Sequence, residues 1–139
     1  IGEGSQRKIL EKEIQKYGLE DYVELLGSKI HKDIPVWMNS CDVFVLPSLS
    51  ESFGIVQLEA FACGKPVVAT KNEGSKQVVT SENLGLLCNI GDAESLAKTI
   101  SKALEKKWNE KEIIKHAKNF TWESVLTKVQ EIYNDLLKK

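Results

Sequence analysis

Glu51 and Glu59 stand eight positions apart, on either side of Phe53-Gly54 and the start of an apolar run. The apolar stretch Val43–Leu46 stops at Pro47, and the polar stretch Ser48–Glu51 leads into a helix predicted over Gly54–Cys63. In an open parallel sheet, ligands bind beyond the carboxyl ends of strands, where helices begin. N–H groups around Phe53, Gly54, Ile55 and Val56 converge at such a start without intrahelical acceptors, and the helix dipole makes the place suit a phosphate. Gly54 has no side chain to hold a ligand away from the backbone. The two carboxylates would repel a phosphate, but each can accept hydrogen bonds from hydroxyls, two from a vicinal diol. Gly54 and Glu59 are separated by about 7.5 Å of helix, close to the offset between a diphosphate and the ribose beside it. Glu51, on the loop side, would face whatever hangs from the other phosphate. Hydroxyls on both sides of a diphosphate describe a nucleotide-sugar. A solvated helix position suits Glu59 poorly, since Leu58, Ala60, Phe61 and Ala62 leave little polar face. Glu51 has a plainer alternative, a helix-entry charge favoured by the dipole.

These residues need a frame, and the chain supplies one. Ser5 can cap a helix over Arg7–Tyr17 that stops at Gly18. Tyr22–Leu26 is a short β-prone run ended by Gly27, and Asp33–Asn39 predicts a brief helix. Val43–Leu46 and Pro66–Thr70 read as strands buried on both faces, with Gly64 closing the helix between them. A loop at Lys71–Gly74, a helical turn near Ser75–Val79 and a strand at Gly85–Cys88 follow. Asp92 or Ser95 starts a helix through Leu104, and two more cover Glu110–Lys118 and Trp122–Leu137. Trp122, Val125, Val129, Ile132 and Leu136 form a helical stripe predicted to dock on the domain core. Strands alternating with helices across short loops predict right-handed βαβ units in one α/β domain, a parallel sheet with helices on both faces.

At 139 residues the chain can bury one core but not two. A net charge of −1 offers nothing to a polyanion, so no nucleic-acid partner is expected. Lysines of the last third are interleaved with glutamates, as on a solvated helix face, although weak contact with an anionic membrane stays open. Cys41, Cys63 and Cys88 are spaced for neither zinc nor a disulfide framework. They read as small buried hydrophobes in a reducing cytoplasm, and His31 and His116 as surface residues. No stretch approaches the ~18 apolar residues of a membrane span. Ile1-Gly2-Glu3-Gly4 looks like a strand end entering a turn, which predicts a chain cut from a longer protein.

The run Pro47-Ser48-x-x-Glu51-x-Phe53-Gly54, continued by Glu59-Ala60-x-Ala62-x-Gly64-Lys65-Pro66-Val67-Val68-Ala69, resembles the E-x7-E signature of retaining glycosyltransferases. These are the GT-B enzymes of family 4, the glycosyl transferases group 1, built from two Rossmann-like domains. Gly2-Glu3-Gly4 resembles the family's first glycine turn, and Leu26-Gly27 its strand end near the nucleotide base. Asn72–Gly74 stands where the family has a "GG" or "EG" loop. Gly85-Leu86-Leu87 with Asp92, and Phe120-Thr121-Trp122-Glu123, resemble later motifs, so the likeness runs through the whole chain.

The resemblance implies that residues 1–139 are the nucleotide-sugar donor domain of a GT-B fold, incomplete at its start, with the acceptor domain absent. Glu51, the candidate catalytic residue, would hold hydroxyls of the transferred sugar, and Glu59 the ribose diol. Main-chain amides of Phe53 and Gly54 would touch the sugar, and those of Ile55 and Val56 the phosphates. Gly2 and Gly4 would form the turn facing the donor, with simple turn glycines as the equal alternative, while Gly27, Ser28, Lys29 and Ile30 would line the base pocket. The implied reaction retains anomeric configuration, with the leaving phosphate as base. The resemblance implies no cofactor and no metal, and the lack of Asp-x-Asp in the chain agrees with the family's metal independence. A glycan, lipid or small-molecule acceptor would bind through the missing domain of a cytoplasmic parent, at or away from the inner face of the membrane. The rivals are a nucleotide-sugar binding module without turnover, and a GT-B epimerase or phosphorylase.

Overall fold

A computed structural model describes residues 1–138. The chain divides into two compact units, Ile1–Ile34 and Pro35–Lys139, each described here by itself.

The first unit holds α1 (Arg7–Lys16), whose N-cap is Gln6 rather than Ser5, and a 3-10 turn at His31–Asp33. Arg7 ties the unit together: its guanidinium pairs with Glu3 at 3.0 Å and Glu11 at 2.9 Å, and donates to the Leu25 carbonyl at 3.1 Å. The predicted strand Tyr22–Leu26 is not a strand. Strand propensity becomes a strand only when a neighbour completes its ladder. Here, among the described residues, Gly2 N–H donates to the Gly27 carbonyl at 2.9 Å, a single backbone bond rather than a ladder.

The second unit opens at the second residue of α2 (Ile34–Ser40), the helix that buries Met38. Its parallel sheet runs β1 (Phe44–Leu46), β2 (Val67–Thr70), β3 (Gly85–Cys88), in that spatial order. Phe44 pairs with Val67, and Val67 with Gly85. A β-carbon on Gly85 would overlap the Val67 carbonyl, so close strand packing requires glycine there. Every residue of β2 is buried, which requires cover on both faces. On one face Val68 and Leu86 pack with Leu96, Ile100 and Ala103 of α5 (Ala93–Glu105) and with Trp108 just beyond it. Val67 and Ala69 alternate to the opposite face. There α3 (Ile55–Ala62) lies over β1 and β2 and α6 (Glu110–Ala117) lies against α3, with Phe61 and Ile113 fully buried. A short helix, α4 (Glu73–Val78), follows β2, capped by the Asn72 side chain; the predicted loop is therefore shorter than Lys71–Gly74.

α7 (Trp122–Leu137) corrects an expectation. None of its residues is buried, and Trp122 is 79% exposed and Leu136 62%. Its stripe does not dock on the domain core; the helix packs chiefly on the turn Lys118–Phe120. Amphipathic spacing says which face a helix would bury, not that a surface is there to receive it. The cysteines also divide: Cys88 is buried, while Cys41 and Cys63 are half-buried. Burial pushes all three thiols up, and Lys65 opposes this at Cys41 and Cys63.

Of the two predicted starts for α5, Asp92 is the cap, accepting from Ser95 N–H at 2.9 Å. That backbone bond holds its carboxyl below the usual carboxylate value. A lowered native value means the contribution is present above the unfolded-state value and is lost as pH falls through the native one. Asp92→Asn keeps a capping acceptor without the titration. Its urea midpoint relative to the unsubstituted chain should therefore rise as pH drops below about 4, and equal acid sensitivity would reject the assignment.

Candidate functional site

β1 ends at Leu46, and residues 47–54 carry the chain to α3. Gly54 is the N-cap of α3, in the left-handed region at φ 82°, ψ 55°, and no side chain caps the helix. The conformation favours glycine, and a β-carbon would displace Gln57 Nε2 from the space it occupies. Gln57 N–H donates to the Gly54 carbonyl at 2.9 Å. The N–H groups of Ile55 and Val56, at the first two helical positions, have no acceptor within the helix. Ile55 is exposed and Val56 half-buried, so this end of α3 is open to an anion.

Glu51 is half-buried in the loop before that start. The Ser48 hydroxyl donates to its Oε1 at 2.7 Å, and its own carbonyl accepts from Gly74 N–H at 3.1 Å. Gly74 lies so near that a β-carbon would come within 2.6 Å of the Glu51 carbonyl oxygen. The Ser48 carbonyl in turn accepts from the Thr70 hydroxyl and from Asn72 Nδ2, the latter at 3.2 Å. The carboxylate loop is thus held from beneath by the end of β2 and the cap of α4. Glu59 is half-buried in the second turn of α3. One carboxylate precedes the uncapped helix start and the other follows it, as the spacing predicts.

Phe53 is fixed from another direction. Its ring lies 5.8 Å from that of Phe120, which lies 5.3 Å from the His116 ring. His116 stands edge-on to Phe61 at 5.7 Å, with Nε2 3.1 Å from the Val78 carbonyl oxygen. His116 is therefore a half-buried packing residue rather than a surface one. His31 is exposed.

The remaining predicted residues belong to the first unit. Gly2 meets Gly27 through the backbone bond already described, and Gly27 takes φ 66°. Gly2 and Gly4 line an open groove of about 410 Å³ with Arg7, Leu10 and Leu25. Ser28 and Ile30 are exposed and Lys29 is half-buried. The structure so gathers the predicted residues into two sets, Glu51 with Phe53–Glu59, and Gly2 with Gly27. Sequence reasoning missed the polar support under the first set: Ser48, Thr70, Gln57 and Ser75, with the Asn72 side chain. The signal was Gln57, three residues past Gly54 in a run otherwise apolar but for Glu59. Among the described residues no group of three or more His, Cys, Asp or Glu could hold a metal ion. Among them no helix is long and apolar enough to cross a membrane.

The family model described as "Glycosyl transferases group 1" matches residues 1–120. The chain belongs to that family. This glycosyl transferases group 1 chain is 32% identical to an uncharacterized glycosyltransferase of Methanocaldococcus jannaschii, over 98% of its own length and 40% of the relative's. It superposes on sucrose-phosphate synthase from Thermosynechococcus elongatus with a TM-score of 0.83 at 32% identity, covering 97% of this chain and 35% of the synthase. It also superposes on Anabaena HepE, solved in complex with UDP-glucose, with a TM-score of 0.72 at 33% identity, covering 98% of this chain and 38% of HepE. The chain therefore spans about two-fifths or less of these proteins. Its α/β sheet is one Rossmann-like half of the GT-B architecture.

Proposed function

We propose that this chain is the donor-binding part of a retaining GT-B glycosyltransferase of family 4, whose parent transfers a sugar from a nucleotide-diphosphate sugar to an acceptor hydroxyl. The observation that carries the reading is the uncapped start of α3 at Gly54, with a carboxylate on each side of it. The likeness to HepE, a protein solved with UDP-glucose, supports a donor of that class. Ile55 and Val56 N–H groups hold the diphosphate. Glu59 accepts from the ribose diol, and Glu51 from hydroxyls of the sugar. The anomeric carbon–phosphate oxygen bond breaks as the acceptor oxygen bonds to the same face, and the acceptor proton passes to the leaving phosphate. Charge on the departing diphosphate is stabilised by the helix start, without a metal ion. The acceptor and the rest of the cleft belong to the remainder of the parent.

Titration of the chain with UDP, GDP and ADP, read by amide NMR shifts, tests the site. Shifts should centre on Phe53–Glu59 with affinities in the millimolar range, about −4 kcal/mol. Glu59→Ala should weaken binding by about 1–2 kcal/mol through the lost ribose bonds. Shifts concentrated away from α3, or undiminished binding by the variant, would reject the assignment.

A further inference from the structure

The carboxamide of Gln57 is buried completely, yet the proposed chemistry makes no use of it. It lies against the α-carbon of Gly54, in the space a β-carbon would need, and its Nε2 donates to Ser75 Oγ at 3.2 Å. Among the described residues its Oε1 has no hydrogen-bond partner. A buried polar group with one unsatisfied end costs folding free energy, and an apolar side chain of similar size would avoid that cost. Ser75, itself fully buried, donates its N–H to Asn72 Oδ1 at 2.9 Å. Asn72 Nδ2 reaches the Ser48 carbonyl at 3.2 Å, and the Ser48 hydroxyl reaches Glu51 at 2.7 Å. A continuous path of polar contacts therefore runs from the start of α3, through the cap of α4, to the carboxylate of Glu51. The two halves of the candidate site are joined by a third element as well as by the loop between them.

We infer that Gln57 and Ser75 are a positioning pair that fixes the Glu51 carboxylate relative to the N-terminus of α3, and so sets where the transferred sugar lies against its diphosphate. The inference rests on the donor-binding reading of this site. Neither side chain touches the donor; both act through Glu51. Slack in this link would misplace the sugar in the transition state while leaving main-chain contacts to the diphosphate nearly intact, a kcat effect without an affinity effect. Because the two residues form one link, breaking it twice should cost no more than breaking it once.

The test uses Gln57→Leu, which removes both polar ends of the carboxamide, with Ser75→Ala and the double variant. In the chain alone, without donor, Gln57→Leu should shift the amide resonances of Ser48–Glu51 and Gly74 as well as those of α3. In the full-length parent, kcat at saturating donor should fall roughly tenfold, with affinity for the nucleoside diphosphate within about twofold and the double variant no worse than Gln57→Leu. Shifts confined to α3, unchanged kcat, or a parallel loss of nucleoside diphosphate affinity would overturn the inference. A parent that transfers no sugar, while Gln57→Leu still moves the Ser48–Glu51 resonances, would remove the glycosyltransferase reading and leave the link standing.

Discussion

Replacing Glu51 by Gln in the full-length parent should lower kcat at saturating donor by roughly 100-fold, with little change in affinity for the free nucleoside diphosphate. The carboxylate is half-buried and already accepts from Ser48 on one oxygen, which holds it in place before a donor binds. Hydrogen bonds to a charged acceptor contribute about 1.5–3 kcal/mol, and those to the sugar tighten as charge develops at the anomeric centre. A nucleoside diphosphate lacks that sugar, so its binding does not report the loss. Glutamine keeps the shape and one acceptor but loses the charge, which separates the electrostatic role from packing. Single-turnover kinetics beside calorimetric titration of the free nucleotide would measure both quantities. Full turnover by the variant would reject a direct role on the sugar. Equal loss of turnover and nucleotide affinity would mean that Glu51 shapes the nucleotide site instead of acting on the sugar.

Gly54→Ala should damage both stability and nucleotide binding. A residue with a β-carbon pays about 1–2 kcal/mol in the left-handed region that Gly54 occupies. Its new methyl group would also drive the buried Gln57 carboxamide out of place, an overpacking cost of about 1–3 kcal/mol. Against a domain stability of about 5–15 kcal/mol, the combined cost is large. If the chain relaxes by shifting the first turn of α3, the Ile55 and Val56 N–H groups leave the phosphate position, so binding falls either way. Gly4→Ala, at the other candidate glycine site, is the comparison variant, because nothing lies within 4 Å of a β-carbon there and the fold can accept it. Thermal melting and UDP titration of the two variants side by side should show loss in the first alone. A Gly54→Ala chain with unchanged melting temperature and affinity would rule out the helix-start site. Loss of binding without loss of stability in Gly4→Ala would mean that the turn at Gly2-Glu3-Gly4 contacts the ligand directly.

Local chemistry was enough to place the frame of the site. The strands at Phe44–Leu46, Val67–Thr70 and Gly85–Cys88 are short apolar runs bounded by breakers, as in a parallel sheet. Of these, Val67–Thr70 alone is buried throughout; Phe44–Leu46, expected to be buried on both faces, is half-buried because among the described residues it pairs with β2 only. The start of α3 was equally local, because Gly54, Glu51 and Glu59 are related by helix geometry within one stretch of chain. Three features depended on what packs against what, and sequence could not reach them. Tyr22–Leu26 has the composition of a strand but no ladder to join. α7 has a core-like stripe that no surface of its own unit covers. His116 is a polar residue on a surface-like helix until Phe61 and Phe120 close around it. The polar path under Glu51 belongs to the same class: Gln57 and Ser75 are eighteen residues apart and meet only because β2 brings the cap of α4 beneath α3. Periodicity reports a residue's relation to its own helix or strand; the partner across a tertiary contact is set by the sheet, and the sheet alone made Gln57 and Ser75 neighbours.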